Sequence, residues 1–133
     1  MFLLYAIVAF ALSAVGGLYM ATRILNGQLA PWMISVVHLG LGVAGLGLVF
    51  LAVSAGAGGF IGLVTLGVLA VAAVGGLALL LPMHLRGVVA PSWVVLVHAG
   101  VGIIGVAMLV LLAFGVFNVD PNMTDYNAVP PPL

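Results

Sequence analysis

The chain contains no cysteine, no lysine and no glutamate. Without cysteine there can be no disulfide, thiolate metal site, iron–sulfur cluster or covalently attached c-type haem, and cysteine usage gives no clue to the redox compartment. Charged residues make up 3% of the 133 positions, against about a quarter in a soluble domain. The whole formal inventory is Arg23, Arg86, Asp120 and Asp125. So few charges cannot cover a water-facing globule, so lipid must be the solvent. A net charge of zero argues against nucleic acid as a partner. No carboxylate or lysine falls in an apolar stretch, so a proton or cation pump would lack its usual relay. There is no phosphate loop and no nucleophile–base–acid set, and two embedded histidines are too few to close a zinc site. Nothing supports hydrolysis or group transfer, and no catalytic activity of its own is expected.

What is abundant is apolar: 66% of the chain. A bilayer core about 30 Å thick takes roughly 20 apolar residues per helix. Four stretches qualify: Phe2 to Thr22, Pro31 to Val53, Phe60 to Met83 and Pro91 to Phe117. Four strands would be too few to close a barrel. The expected fold is an all-α membrane protein, a four-transmembrane-helix bundle over residues 1–117. Met1 is followed at once by apolar residues with no basic stretch, unlike a cleavable signal peptide. The first segment is therefore expected to stay in the mature protein. Asn26-Gly27-Gln28 reads as a turn, and Arg86-Gly87 as the end of the third helix. Pro31 and Pro91 suit a first helical position, where a missing N–H costs nothing. Residues 118–133, with both acids and four prolines, read as an extended polar tail.

The chain also repeats itself. Shifted by sixty residues, Leu25–Gly45 lies over Leu85–Gly105 with nine of 21 positions identical. The identities include Gly27/Gly87, Ala30/Ala90, Pro31/Pro91, His38/His98, Gly40/Gly100, Gly42/Gly102 and Gly45/Gly105. The reading is two tandem, parallel-oriented helical hairpin repeats, residues 1–53 and 60–117. The second and fourth helices then run the same way.

His38 and His98 each lie seven residues past a proline, about 10 Å into a helix at about 1.5 Å per residue. An ionisable group at that depth is costly and marks a functional candidate. Gly42 and Gly45 follow His38 on one helical face, and Gly102 and Gly105 follow His98. A bare backbone beside an imidazole leaves room for something flat and wide. Two neutral imidazoles could ligate the iron of one haem b, with His38 and His98 as the metal ligands. Arg23, Arg86 and His84 fall near the same membrane surface, where they would meet the haem propionates. The competing account makes the glycines a packing seam and each histidine a hydrogen-bonding group, with Ser35, Ser13 or Thr65 as partner.

Two parallel helices, each with one mid-helix histidine and flanking glycines, resemble the small b-type cytochromes of energy-transducing membranes. The resemblance covers the second and fourth helices. It implies haem b and single-electron transfer to or from quinone; the expected partners are a larger respiratory complex, of which the chain would be a subunit, or further copies of the chain in a homo-oligomer. One histidine pair matches one haem. A cofactor-free accessory subunit, a chlorophyll-type pigment binder and a small transporter of parallel repeats are the alternatives.

Both arginines sit at the ends joined by the two intra-hairpin turns, and cytoplasmic loops favour Lys and Arg. The expected location is a bacterial inner membrane, with both termini outside the cytoplasm. A periplasm-active reporter fused after Leu133 should be active, and a cytoplasm-active one silent. The reverse pattern would overturn this orientation.

Overall fold

A computed structural model describes residues 1–117; the expected extended tail, 118–133, lies outside the described residues. Four helices account for most of the chain: α1 (Phe2–Leu25), α2 (Trp32–Ser54), α3 (Gly59–Leu80) and α4 (Ser92–Ala113). They hold 24, 23, 22 and 22 residues. At about 1.5 Å per residue each is long enough for a bilayer core. All four are apolar enough to cross a membrane, which makes this a multi-pass membrane protein. Among the described residues there is no strand.

The helix ends have local causes. Gly27 and Gly87 adopt φ of +70° and +67°, the left-handed conformation that glycine enters without a Cβ clash. At each, a two-bond closure caps the preceding turn: Gly27 N–H to Ile24 O with Gln28 N–H to Arg23 O, and Gly87 N–H to His84 O with Val88 N–H to Met83 O. The Gly27/Gly87 identity is thus a chain-reversal device. Pro31 and Pro91 stand one position earlier than expected, at the N-caps of α2 and α4, with extended ψ of 132° and 133°. Two expected ends are corrected. Helix α3 stops at Leu80 rather than Met83, because Pro82 has no N–H and its ring crowds the carbonyl four residues back. Arg86 therefore lies not at the helix end but in a separate 3-10 turn, His84–Arg86. Helix α4 stops at Ala113 rather than Phe117, closed by Gly115 N–H to Leu112 O and Val116 N–H to Leu111 O.

Short connections make neighbouring helices antiparallel. Each helix packs on the next and α1 closes against α4, while α1 and α3, and α2 and α4, sit on the diagonals. The packed centre lies at one end of the bundle, around Ala6, Val49, Leu69 and Leu109. It is sealed laterally by Phe10, Leu46, Leu66 and Val106. The buried positions of α2 (Ser35, Gly45, Val49 and Ala52) and of α4 (Val95, Gly105, Leu109 and Leu112) differ by sixty throughout. Only 17% of each span is buried inside the bundle, so lipid must cover most of the apolar surface.

The bend between the hairpins is the tightest backbone approach. A Cβ on Gly62 would run into the carbonyl oxygen of Ala57, whereas one on Gly67 would meet nothing within 4 Å. Backbone cannot move aside as a side-chain tip can. Gly62→Ala should therefore destabilise the folded protein by about 1–3 kcal/mol, and Gly67→Ala, in the same helix, should not. Denaturant unfolding in detergent reads the difference; equal effects would contradict it.

Candidate functional site

His38 lies on α2 six residues after Trp32, with its imidazole turned onto α1. Its Nδ1–H donates to the carbonyl of Ser13 at 2.8 Å. The Ser13 hydroxyl lies 3.0 Å from the same Nδ1 and donates to the carbonyl of His38 at 3.0 Å. Ser13 is 5% exposed, so these bonds form away from lipid headgroups and water. The ring passes over Gly17, where a Cβ would stand 2.9 Å from Cε1 and 3.2 Å from Nδ1.

His98 repeats the arrangement on the second hairpin. Its Nδ1–H donates to the carbonyl of Ala72 on α3 at 3.0 Å. The ring passes over Gly76, where a Cβ would stand 3.2 Å from Cε1. Alanine at position 72 offers no counterpart to the Ser13 hydroxyl. In both rings Nδ1–H faces a backbone carbonyl, so in the neutral imidazole Nε2 is the nitrogen with a free lone pair. Among the described residues neither Nε2 has a hydrogen-bond partner. The two rings meet across the α2–α4 diagonal, with centroids 6.2 Å apart and planes at 72°.

The four glycines expected beside the histidines divide into two kinds. A Cβ on Gly102 would meet nothing within 4 Å, and one on Gly42 would come no closer than 3.9 Å to the Ser13 hydroxyl. Gly45 and Gly105 are not open: the ring of Phe10 would be 2.8 Å from a Cβ on the first, and Leu69 2.7 Å from one on the second. The expectation that all four leave clearance for a flat ring is corrected at those two positions. There the missing side chain admits a neighbouring helix. Gly40 and Gly100 have nothing within 4 Å.

Of the remaining candidates, all but Thr65 lie toward the end of the bundle that holds the Ala-Pro turns. Ser35 does not reach His38; its hydroxyl donates to Pro31 O at 3.1 Å and to the Met20 sulfur at 3.2 Å. Thr65 bonds within its own helix, to Ile61 O at 2.8 Å. His84 stacks on Trp32, centroids 5.4 Å apart and planes 17° from parallel, which ties the α3–α4 connection to the start of α2. Arg86 is exposed. The Nε of Arg23 is buried and has no hydrogen-bond partner among the described residues. No cluster of three or more His, Cys, Asp or Glu exists among the described residues. A groove of about 170 Å³ opens between α1 and α2 along His38, lined also by Gly16, Met33 and Val37. It is smaller than the roughly 300–1,000 Å³ of an ordinary small-molecule pocket.

Gly16, Gly17, Gly75 and Gly76 are the site residues that a sixty-residue comparison misses. The signal was present at a shift of fifty-nine: Ala14-Val15-Gly16-Gly17-Leu18 and Ala73-Val74-Gly75-Gly76-Leu77 are identical. The registers differ because the next stretch is one residue longer in the second hairpin, 78–84 against 19–24. That is where Pro82 breaks α3. No family model, curated protein or solved structure matches the chain.

Proposed function

We propose that this protein is a membrane-embedded haem b protein that carries single electrons, with His38 and His98 as the residues that would hold the haem iron. The observation that carries the reading is the matched imidazole pair: centroids 6.2 Å apart, each Nδ1–H on a backbone carbonyl and each Nε2 without a partner among the described residues. Rings this close could both reach one metal ion placed between them. Ligating histidines characteristically give their other N–H to a carbonyl or carboxylate, which fixes the tautomer and raises ligand basicity. The donor set, two imidazoles each held through Nδ1 by a backbone carbonyl, is of the type that would hold haem iron. Open space beside Gly42 and Gly102 is where a flat ring would lie. The buried Arg23 Nε–H is a donor suited to a propionate.

When bound, the haem supplies reversible one-electron exchange. The chain would supply two imidazole nitrogens and a low-dielectric surround, with the Arg23 guanidinium toward the same end of the bundle. Two tandem hairpins of parallel orientation account for the paired ligands, since each copy delivers one. With the arginine ends cytoplasmic, the site lies closer to that face of the membrane. An electron carrier of this size needs a donor and an acceptor. A quinone in the bilayer, a larger respiratory complex or a second copy of the chain would fill those roles.

A second reading is a cofactor-free accessory subunit. Phe10 and Leu69 filling the space at Gly45 and Gly105 favour it, because there the glycines serve helix packing. Haem content separates the two readings. His38→Ala and His98→Ala should each lower haem per protein by at least about tenfold, since second-shell losses alone cost 10–100-fold. The two losses should not add. His84→Ala should keep the haem, because its ring is engaged with Trp32. Gly102→Leu should fold normally and lose the haem, because its side chain grows into open space. Full haem content in His98→Ala, or no haem in any form, would refute the reading.

A further inference from the structure

We infer that Gly17 and Gly76 are positioning residues: each bare patch of helix seats an imidazole on the carbonyl four residues earlier and so decides which ring nitrogen holds the proton. For its functional meaning this rests on the haem reading above. In an α-helix the carbonyl of residue i already accepts the N–H of residue i+4. Ser13 O is thus the helical acceptor for Gly17, and Ala72 O for Gly76. The histidine N–H is a second donor on the same oxygen, using its second lone pair. To reach that oxygen the ring must lie over residue i+4, where a Cβ would crowd it.

The clearances fit this account at both sites. A Cβ at Gly17 would come within 2.9 Å of His38 Cε1, and one at Gly76 within 3.2 Å of His98 Cε1. The first is closer than real Cβ contacts, and the second is tighter than most. The glycines one residue earlier behave differently. A Cβ at Gly16 would come no closer than 3.5 Å to Ile34 and 3.8 Å to His38, and one at Gly75 no closer than 3.5 Å to His98. Those are ordinary contacts. Of each Gly-Gly pair, the second is required and the first is replaceable. Helix propensity cannot produce that split, because both positions are interior to the same helix.

The two seats are not equivalent. Ser13 adds a hydroxyl beside His38 Nδ1 and a bond to the His38 carbonyl, while His98 rests on the Ala72 carbonyl alone. The carbonyl is the common element, so Ser13→Ala should leave the His38 tautomer unchanged.

The test is nitrogen NMR of the full chain with ¹⁵N-histidine, in lipid bilayers near neutral pH, first without haem and then loaded with it. Without haem, His38 and His98 should each show a single Nδ1–H form, and His84 should not. Gly17→Ala should abolish that form at His38, and Gly76→Ala should abolish or mix it at His98. Gly16→Ala and Gly75→Ala should change neither. Should Gly17→Ala fail to fold, the milder contact at Gly76 carries the test. With haem bound, Gly76→Ala should raise the reduction potential, because an imidazole without its carbonyl partner is a poorer donor to ferric iron. Retention of the Nδ1–H form in both Gly17→Ala and Gly76→Ala, or its loss in Gly16→Ala, would overturn the inference. If wild-type protein shows the predicted tautomers and glycine dependence but takes up no haem, the positioning role stands and the electron-carrier reading falls. If haem binds while the tautomers ignore Gly17 and Gly76, the reverse holds.

Discussion

An N–H in hydrocarbon must find an acceptor inside the protein, because lipid offers none. His38 and His98 each carry such a group about 10 Å inside a helix, and the structure answers with a backbone carbonyl from the preceding helix. Those two bonds bridge α1 to α2 and α3 to α4. They need a helix surface without a Cβ where each ring lies, which Gly17 and Gly76 provide. They also fix the orientation of both rings, and through it the nitrogen left free. Neither the hairpin packing near the histidines nor the proposed ligand chemistry can be described without them.

The bundle is accordingly divided along its length. At one end Ala6, Val49, Leu69 and Leu109 form a closed centre, held by dispersion and close fit, since burial away from lipid brings no hydrophobic gain between helices. Phe10 against Gly45 and Leu69 against Gly105 mark its boundary. Beyond that boundary the interior belongs to the imidazole pair, and then to the polar end with Arg23, His84 and Trp32. Rigid packing at one end and polar groups at the other is an arrangement that could hold a ligand without loosening the fold.

Much of this was legible in the sequence, and the reasons it was or was not are physical. Helix number followed from run length against bilayer thickness, and the depth of His38 and His98 from counting past Pro31 and Pro91. Where α3 ends was legible too, in Pro82, a residue that run length alone passes over. The glycines after each histidine suggested a cavity, but apolar patterning cannot say whether a gap is filled by a ligand or by a neighbouring helix. At Gly45 and Gly105 it is filled by the helix. The glycines that receive the imidazoles escaped a comparison locked to one shift, because one additional residue near Pro82 moves the first half of each hairpin to a register of fifty-nine. Ser13, named only as one of several partners for a buried histidine, turned out to be the one that His38 uses.

The central claim is that two imidazoles at this separation and mutual tilt share one iron. Low-temperature EPR of the oxidised, purified protein addresses it directly. With both imidazoles holding the iron, the account predicts a single low-spin ferric haem signal. A high-spin signal, as from one axial histidine, or a colourless protein prepared with ample haem, would contradict the account.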